Sequence, residues 1–248
     1  MKTDPISRQT HFLLRRVNKT VRQHQLIDQG DRIAVAVSGG KDSLTLLRLL
    51  LARQAVQPER IELVAVHVSG PDVTGGSEQA EALCSHFREL GVEYVVEPLQ
   101  LAEGESWPLP CYRCAWNRRK ALFLAAHRLG CNKMALGHHA DDAAQTTLLN
   151  LFHHGRLESI PVSKPFFDGL VTVIRPLIDV EEKDIVRFAR QAGYPIGQLD
   201  CPHAEVSQRA EMAQLLRQIE KGAPWAKSKL QRAVLKYGEK NGSEEESR

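Results

Sequence analysis

Residues 33–43 constrain this chain more than any other segment, because they join a buried strand to a helix through a glycine turn. They read Ile-Ala-Val-Ala-Val-Ser-Gly-Gly-Lys-Asp-Ser. The first five are small or β-branched apolar residues, which predicts a buried strand. The next three, at 38–40, predict a tight turn, and an amphipathic helix follows over 44–53.

A strand, a glycine turn and a helix start together favour an anion site. Backbone N–H groups of the turn can point into a common hollow, and the positive end of the helix dipole faces the same place. Lys41 adds a mobile cation for phosphate oxygens. The segment is not a Walker A loop, since Val35 stands where that pattern has glycine and Asp42 where it has Ser or Thr. A strand–turn–helix joint without a ligand is the alternative interpretation.

The composition is that of an ordinary globular protein. The chain has 248 residues, 42% of them hydrophobic, and a net charge of +3. No apolar run approaches the roughly 20 residues of a membrane span, and the first residues lack the apolar core of a secretory signal. We therefore expect a cytoplasmic protein with no membrane partner.

Positive charge is concentrated in three segments, at 8–22, 118–120 and 227–236. Such segments suit a polyanion, and RNA is the candidate. The alternative interpretation is that these basic segments are solvent-exposed helix faces without a ligand. The basic helix in residues 1–30 also permits a homodimer, because it lies outside the alternating strand–helix core.

Strands alternate with helices through most of the chain, which predicts parallel crossovers and a doubly wound, mostly parallel α/β sheet. Five strands are expected, at 33–37, 61–68, 92–97, 133–136 and 171–174. Helices are expected at 6–28, 44–53, 77–90, 112–129, 141–151, 180–192, 205–220 and 225–237. The expected division is a basic helical segment at 1–30, an ATP-binding domain at 31–200, a helical segment at 201–238 and a disordered tail at 239–248.

Ligands of such sheets bind beyond the carboxyl ends of the strands. The turn at 38–43, His67 and the turn at 137–139 all follow strands at that edge. Backbone groups around His67 would contact an adenine. The alternative is that His67 is a partly buried strand residue with no ligand. His138 would either contact the nucleotide or only pack against its neighbours in the protein.

Asp141 and Asp142 are adjacent carboxylates at a helix start, close in sequence to the turn at 137–139. Beside a phosphate loop they suit Mg²⁺, which takes one or two carboxylates together with phosphate oxygens. Helix capping by either residue is compatible with metal binding.

Three of the five cysteines are candidates for metal or redox chemistry. Cys111 and Cys114 stand at a helix N-terminus, where the helix dipole favours a thiolate, and Cys201 lies far downstream. A Cys-x-x-Cys pair alone fits zinc, redox or iron–sulfur chemistry. A zinc site would need a fourth ligand, which His203 can supply, whereas three cysteines would leave one iron of a [4Fe–4S] cluster open.

Ser-Gly-Gly-Lys-Asp-Ser at 38–43 resembles the PP-loop of the N-type ATP pyrophosphatases, which cleave ATP between the α- and β-phosphates and release pyrophosphate. Over residues 8–235 the order of motifs is similar to that of the tRNA 2-thiocytidine synthetases of the TtcA family. Those motifs are the loop at 38–43, Cys111 and Cys114 with Arg118 and Arg119, Gly137-His138-His139-Ala140-Asp141-Asp142, Ile174-Arg175-Pro176-Leu177, Glu182-Lys183-Asp184-Ile185, and Cys201. The chain is less similar to the tRNA-lysidine synthetases and to the tRNA 2-thiouridine synthetases of thermophiles.

The resemblance implies an adenine nucleotide alpha hydrolase-like fold and ATP-dependent tRNA thiolation. A pyrimidine C2 carbonyl, expected to be that of cytidine, would be adenylated and its oxygen replaced by sulfur. Three cofactors are implied, namely ATP, Mg²⁺ and a [4Fe–4S] cluster. The implied partners are tRNA and a sulfur donor such as a cysteine desulfurase.

The resemblance also assigns residues to these roles. The cluster would be held by Cys111, Cys114 and Cys201, with the fourth iron free for sulfide. Phosphate contacts would come from Ser38, Gly39, Gly40, Lys41, Asp42 and Ser43. From their position at the same edge of the sheet, we expect His67, Gly137 and His138 to contact the nucleotide as well. Magnesium would bind Asp42, Asp141 and Asp142. The catalytic set would be Lys41, Asp42, Asp142, Cys111, Cys114 and Cys201.

Two other functions are compatible with the same residues. The first is a PP-loop enzyme that adenylates another RNA base or a small molecule, with structural zinc at the cysteines and His203. The second is a nucleotide- or RNA-binding protein without catalysis. The sequence also leaves open the modified position, the direction of sulfur transfer, the reductant and the oligomeric state.

Overall fold

The computed structural model describes residues 8–57, 59–70, 76–106, 108–195 and 208–245. The strands within these ranges are β1 (Arg32–Ala36), β2 (Glu62–Ser69), β3 (Glu93–Pro98), β4 (Lys133–Ala135), β5 (Ser163–Phe166) and β6 (Val171–Ile174). The helices are α1 (Arg8–Gln23), α2 (Lys41–Val56), α3 (Gly76–Leu90), α4 (Cys111–Arg128), α5 (Ala140–His154), α6 (Glu182–Ala192), α7 (Gln208–Gly222) and α8 (Ala226–Glu245). The last helix reaches Glu245, whereas the sequence predicts a helix to 237 and a disordered tail.

The strands form one sheet in the order β3-β2-β1-β4-β6-β5. All neighbouring pairs are parallel except β5 and β6, which are antiparallel. The doubly wound, mostly parallel α/β fold is therefore confirmed. The strand order reverses around β1 and β4, which is where such sheets bind ligands.

The predicted strand number, five, is wrong because β5 was missed. This strand is short, carries Pro165 and is mostly exposed, so it lacks the alternating apolar signal of a strand. Phe167 and Asp168 turn the chain back with positive φ angles of 53°. An edge strand can accommodate a proline, since one side of it needs no hydrogen-bonded neighbour.

Side chains of β1 alternate between two apolar layers, as the period of a strand requires. Ile33 and Val35 belong to the layer that α1, α2 and α6 cover. Ala34 belongs to the opposite layer, where Phe123 and Ala126 of α4 pack. Both faces of the sheet are therefore covered, which explains why β1 reads as a continuous apolar run rather than as an alternating one.

The chain forms two compact units, of which the first comprises Met1–Gly137 and Val162–Cys201 and the second His138–Pro161 and Pro202–Arg248. The sheet belongs to the first unit. The second contains α5, α7 and α8, which pack around a small core of their own. The segment 138–161 therefore groups with the C-terminal helices, whereas the sequence places it in the domain at 31–200.

Charged residues begin four of the strands, and ion pairs join them at the amino edge of the sheet. Arg32 opens β1 and pairs with Glu62, the first residue of β2, and with Glu93, the first residue of β3, at 2.8 Å. Lys133 opens β4 and lies 2.7 Å from the carboxylate of Asp31. The charges at this edge of the sheet are thus neutralised by residues that are distant in sequence and adjacent across the sheet.

In the described part of the chain, no helix has both the length and the apolar character that a bilayer crossing demands.

Candidate nucleotide and cysteine site

The segment from Ser38 to Ser43 forms a tight loop between β1 and α2. Gly39 has a φ of +89°, a conformation that favours glycine, and a Cβ added there would lie 3.0 Å from Gln79 Nε2. The Ser43 hydroxyl accepts a hydrogen bond from the Ser38 backbone N–H at 3.2 Å and donates one to the Gly40 carbonyl at 3.0 Å. The loop is therefore held by its own side chains, while α2 starts directly behind it.

Lys41, at the first position of α2, is held between two carboxylates. Its Nζ lies 2.9 Å from Glu182 Oε1 and 3.2 Å from Asp42 Oδ2. Burial opposes the positive charge, but the hydrogen bond to Glu182 and the nearby Asp42 outweigh it and raise the pKa of Lys41. The lysine is thus a full cation near neutral pH, and a phosphate ligand would compete with Glu182 for it.

Gly137, which follows β4, touches the backbone of the loop. A Cβ added to Gly137 would lie 3.1 Å from both Asp42 C and Ser43 N. These are backbone atoms, which cannot rotate away as the end of a flexible side chain can. The predicted proximity of the two turns is correct for this glycine.

Alanine at Gly137 is expected to displace the loop. Overpacking of this kind costs about 1–3 kcal/mol, and the displaced amides should weaken ATP binding by about tenfold or more, since 1.4 kcal/mol corresponds to a factor of ten. Thermal unfolding and calorimetric titration with ATP measure the two effects. Gly222→Ala is the matched control, because no atom lies within 4 Å of its added Cβ, and equal behaviour of both variants would contradict the prediction.

His67 fixes the end of β1 from the neighbouring strand. Its side chain is fully buried, and its Nδ1 lies 2.8 Å from the Val37 carbonyl oxygen. Burial lowers the pKa of His67, and the charge of Arg118 lowers it further, so the ring is neutral at physiological pH. The side chain thus supports the strand end from within, and the predicted contact of its backbone with adenine stays a prediction.

Cys111 and Cys114 lie in the first turn of α4, which follows β3 in the same unit as the Ser38–Ser43 loop. Both are free thiols, with Cys111 exposed and Cys114 half-buried. The backbone N–H groups of Arg113 and Cys114 both donate to the Pro110 carbonyl, at 2.9 and 3.0 Å. Residues three apart on a helix are neighbours on its surface, so the two cysteines lie on the same side of the first turn of α4.

Glu105 anchors this helix to the preceding loop, a role that sequence reasoning missed. Its carboxylate accepts hydrogen bonds from Asn117 Nδ2 at 2.7 Å, from Arg113 Nε and from the Ala102 backbone N–H at 3.0 Å. These bonds, that of Asn117 foremost, lower the pKa of Glu105 to about 2. The anchor therefore persists at neutral and mildly acidic pH and is lost only as the pH falls toward 2.

Residues 10–196 match the PP-loop domain family. A tRNA-cytidine(32) 2-sulfurtransferase of Geobacter sulfurreducens is 40% identical over 228 residues, which cover 88% of this chain and 86% of the relative. The enzyme of the same name from Citrifermentans bemidjiense is 38% identical over 226 residues, 88% of each chain. The chain belongs to the TtcA family of PP-loop proteins.

A solved structure is similar in fold to this TtcA family member. It is the U34-tRNA thiolase NcsA from Methanococcus maripaludis with its [4Fe–4S] cluster, which superposes with a TM-score of 0.73. The sequence identity is 24%, and the alignment covers 92% of this chain and 78% of NcsA. The PP-loop fold predicted from residues 33–43 is therefore confirmed.

The acidic pair of the TtcA motif lies in the second unit. The Asp142 carboxylate accepts a hydrogen bond from the His139 backbone N–H at 3.0 Å and so caps α5. Asp141 is buried and ion-paired with Lys227 of α8, which also lies 3.0 Å from Glu220. The capping role is observed, whereas Mg²⁺ binding by Asp141 would have to displace Lys227.

Two arginines of the TtcA motifs are more buried than the sequence suggests. Nε and Nη2 of Arg118 are buried and have no hydrogen-bond partner among the described residues. Arg175 is also buried, and burial together with the charge of Arg119 lowers its pKa to about 10. These guanidinium groups give the inner side of α4 a positive field, which suits an anionic ligand.

Cys201 and His203 lie outside the described residues, so their predicted ligand roles stay predictions. Within the described ranges, no group of three or more His, Cys, Asp or Glu side chains has the arrangement of a metal site. The other two cysteines, Cys84 and Cys131, are buried as core residues, and burial raises the pKa of the Cys131 thiol.

Removal of the charge at Glu182 is expected to strengthen ATP binding. Glu182→Gln frees Lys41 from a competing carboxylate, and for such a half-exposed ion pair the gain is about 2- to 5-fold. Calorimetric titration with ATP at low ionic strength measures it. Glu181→Gln is the matched control, since Glu181 pairs with Lys183 instead, at 2.7 Å. Weaker ATP binding in Glu182→Gln would contradict the prediction and would mean that the Glu182 carboxylate helps to bind ATP.

Proposed function

We propose that this chain is an ATP-dependent tRNA sulfurtransferase that converts a cytidine of tRNA into 2-thiocytidine. One observation carries the proposal. The phosphate-type loop at 38–43 and the free Cys111–Cys114 pair occur in one compact unit, in a chain 38–40% identical to proteins named tRNA-cytidine(32) 2-sulfurtransferase. By their name, the modified nucleotide is cytidine 32.

The loop serves the first half of the reaction. The C2 oxygen of cytidine attacks the α-phosphorus of ATP, a new P–O bond forms, and pyrophosphate leaves. Backbone N–H groups at the start of α2 and the Lys41 ammonium bind the phosphates and stabilise the charge that develops on the leaving group. Asp42, half-buried beside Lys41, is proposed to hold Mg²⁺ on the phosphates.

The second half replaces the activated oxygen by sulfur. Hydrosulfide adds to C2, the bond from C2 to the original oxygen breaks, and AMP leaves with that oxygen. The proton of the hydrosulfide passes to solvent or to a neighbouring base. The sulfur comes from a donor such as a cysteine desulfurase, whose persulfide releases hydrosulfide when a thiol reductant supplies two electrons and is oxidised to a disulfide. Neither the donor nor the reductant has a site assigned in this chain.

Cys111 and Cys114 fit an iron–sulfur group in the described part of the chain, since both are accessible free thiols on one helical turn. We propose that they hold a [4Fe–4S] cluster together with Cys201. A cluster held by three cysteines would supply an iron position for the sulfide. NcsA, which has the same fold, is described with a [4Fe–4S] cluster.

Mass spectrometry of tRNA nucleosides tests the proposal. Cells that lack the protein should lose 2-thiocytidine, and a plasmid copy of the wild-type chain should restore it. Loss of a thiolated uridine instead would contradict the cytidine assignment, and an unchanged nucleoside profile would contradict thiolation. Iron, sulfide and zinc analysis of protein purified without oxygen separates the cluster from a structural zinc.

A further inference from the structure

Helix α4 combines a high positive charge with exposed aromatic side chains. Its sequence, CYRCAWNRRKALFLAAHR, contains no acidic residue. The cations are Arg113, Arg118, Arg119, Lys120 and Arg128. A helix of this composition repels other cations and attracts a polyanion.

The exposed residues of α4 form a stripe along one face. Tyr112, Trp116, Lys120 and Leu124 follow one another at steps of four, the spacing of neighbours on a helix surface. Tyr112 is 72% exposed, Trp116 47% and Leu124 54%. Large aromatic rings left in water at adjacent positions mark a surface that is covered in a complex.

The Trp116 ring is held in place by cations. The Arg113 guanidinium lies 4.9 Å from the ring centroid and the Lys120 ammonium 5.5 Å. Arg113 is in turn ion-paired with Glu105, the anchor of the helix. The ring is therefore pre-organised. A base that stacks on it would displace the more mobile Lys120 ammonium from the ring and leave it free to contact a phosphate.

The stripe borders a cleft of about 370 Å³ between α4 and the end of β3. Lys120 and Leu124 line its helix side, and Gln100 and Pro98 line the other. Gln100 offers an amide that can hydrogen-bond to the edge of a nucleobase in this cleft.

We propose that Tyr112 and Trp116 form a stacking platform for an unpaired nucleotide of the tRNA, with Lys120 contacting its phosphate. The inference rests on the proposed function, which it deepens by naming a surface for the substrate. Trp116 lies two residues after Cys114, about 3 Å further along the helix axis. Side chains two positions apart on a helix point to different faces, so the platform would hold the tRNA on a face of α4 beside the one that carries Cys114. Stacking on aromatic rings with flanking cations is how proteins bind single-stranded nucleic acid.

Binding of the full chain to labelled tRNA, measured by fluorescence anisotropy, tests the platform. Trp116→Leu should weaken binding about 5- to 100-fold, whereas Trp116→Phe should keep most of the affinity. Trp116→Leu should leave the salt dependence of tRNA binding unchanged. Lys120→Gln should reduce the magnitude of the slope of log binding constant against log salt concentration by about 0.7, the value for one phosphate contact on a single strand. Phe167→Leu is the matched control, since Phe167 is 62% exposed and packs on Phe123 and Phe166 instead.

Equal tRNA affinity of wild type and Trp116→Leu would overturn the platform and leave the proposed function standing. Failure of the wild-type chain to bind any tRNA would overturn both. If Trp116→Leu keeps its tRNA affinity but accepts less sulfur from a protein donor, the stripe is a protein interface, which also overturns the platform. Unchanged ATP binding and melting temperature in each variant show that a loss of tRNA affinity is not a loss of folding.

Discussion

Replacement of Cys114 by alanine is expected to reduce tRNA thiolation to background while the chain still binds ATP. The proposed cluster would lose one of its three protein ligands, and iron content should fall with it. The loop at 38–43 is held by Ser43 and by Gly137, neither of which depends on the cysteine. Thiolation is measured by nucleoside mass spectrometry, ATP binding by calorimetry and iron by a chelator assay.

Cys131→Ala provides the matched control for this experiment. Cys131 is buried in the layer of the sheet that α4 covers, so its replacement should lower stability slightly and leave iron content and thiolation unchanged. Thiolation that survives in Cys114→Ala but not in Cys131→Ala would contradict the assignment of the sulfur site to the first turn of α4.

Lys41→Ala is expected to lower the rate of tRNA-dependent pyrophosphate release by about 100- to 1000-fold, the effect of removing one preorganised charge from a transition state. The ammonium lies at the N-terminus of α2, where the phosphates would bind. Its raised pKa means that it stays charged at neutral and mildly alkaline pH. Release of pyrophosphate is followed in a coupled assay with saturating tRNA.

Lys183→Ala is the control for the loss of a positive charge. Lys183 is 68% exposed and pairs with Glu181 on the helix that carries Glu182, so its removal should change the rate less than twofold. Comparable losses in the two variants would indicate that the rate responds to the general charge of this surface. In that case the role assigned to Lys41 would be wrong.

Much of the fold follows from local pattern in the sequence. The run 33–43 has a β-branched strand, two glycines and a helix start in direct succession, and each of these signals needs only neighbours in the chain. The structure has β1, the turn and α2 in this place, with bounds within a few residues of the prediction. Gly137 was likewise placed beside the loop, because strands in parallel sheets end at a common edge.

Contacts between distant residues were not predictable in the same way. Glu182 holds Lys41 from a helix far downstream, and Glu105 anchors α4 from a loop rich in Pro, Glu and Gly, a composition that does not reveal the partner. The position of Asp141 beside a phosphate-type motif predicts a magnesium ligand, and the structure shows its carboxylate paired with Lys227. In each case the partner is set by the packing of separate elements, which leaves no periodic trace in the sequence.

The ion pairs at the amino edge of the sheet have a consequence for how the strands find one another during folding. With Arg32 opposite Glu62, the apolar residues of β1 and β2 are matched along their length. A slip by one residue would set Arg32 against Ile61 or Leu63 and turn the buried side chains of a strand to the other layer. The charges thus disfavour misaligned intermediates, and variants without them should refold more slowly and aggregate more during refolding.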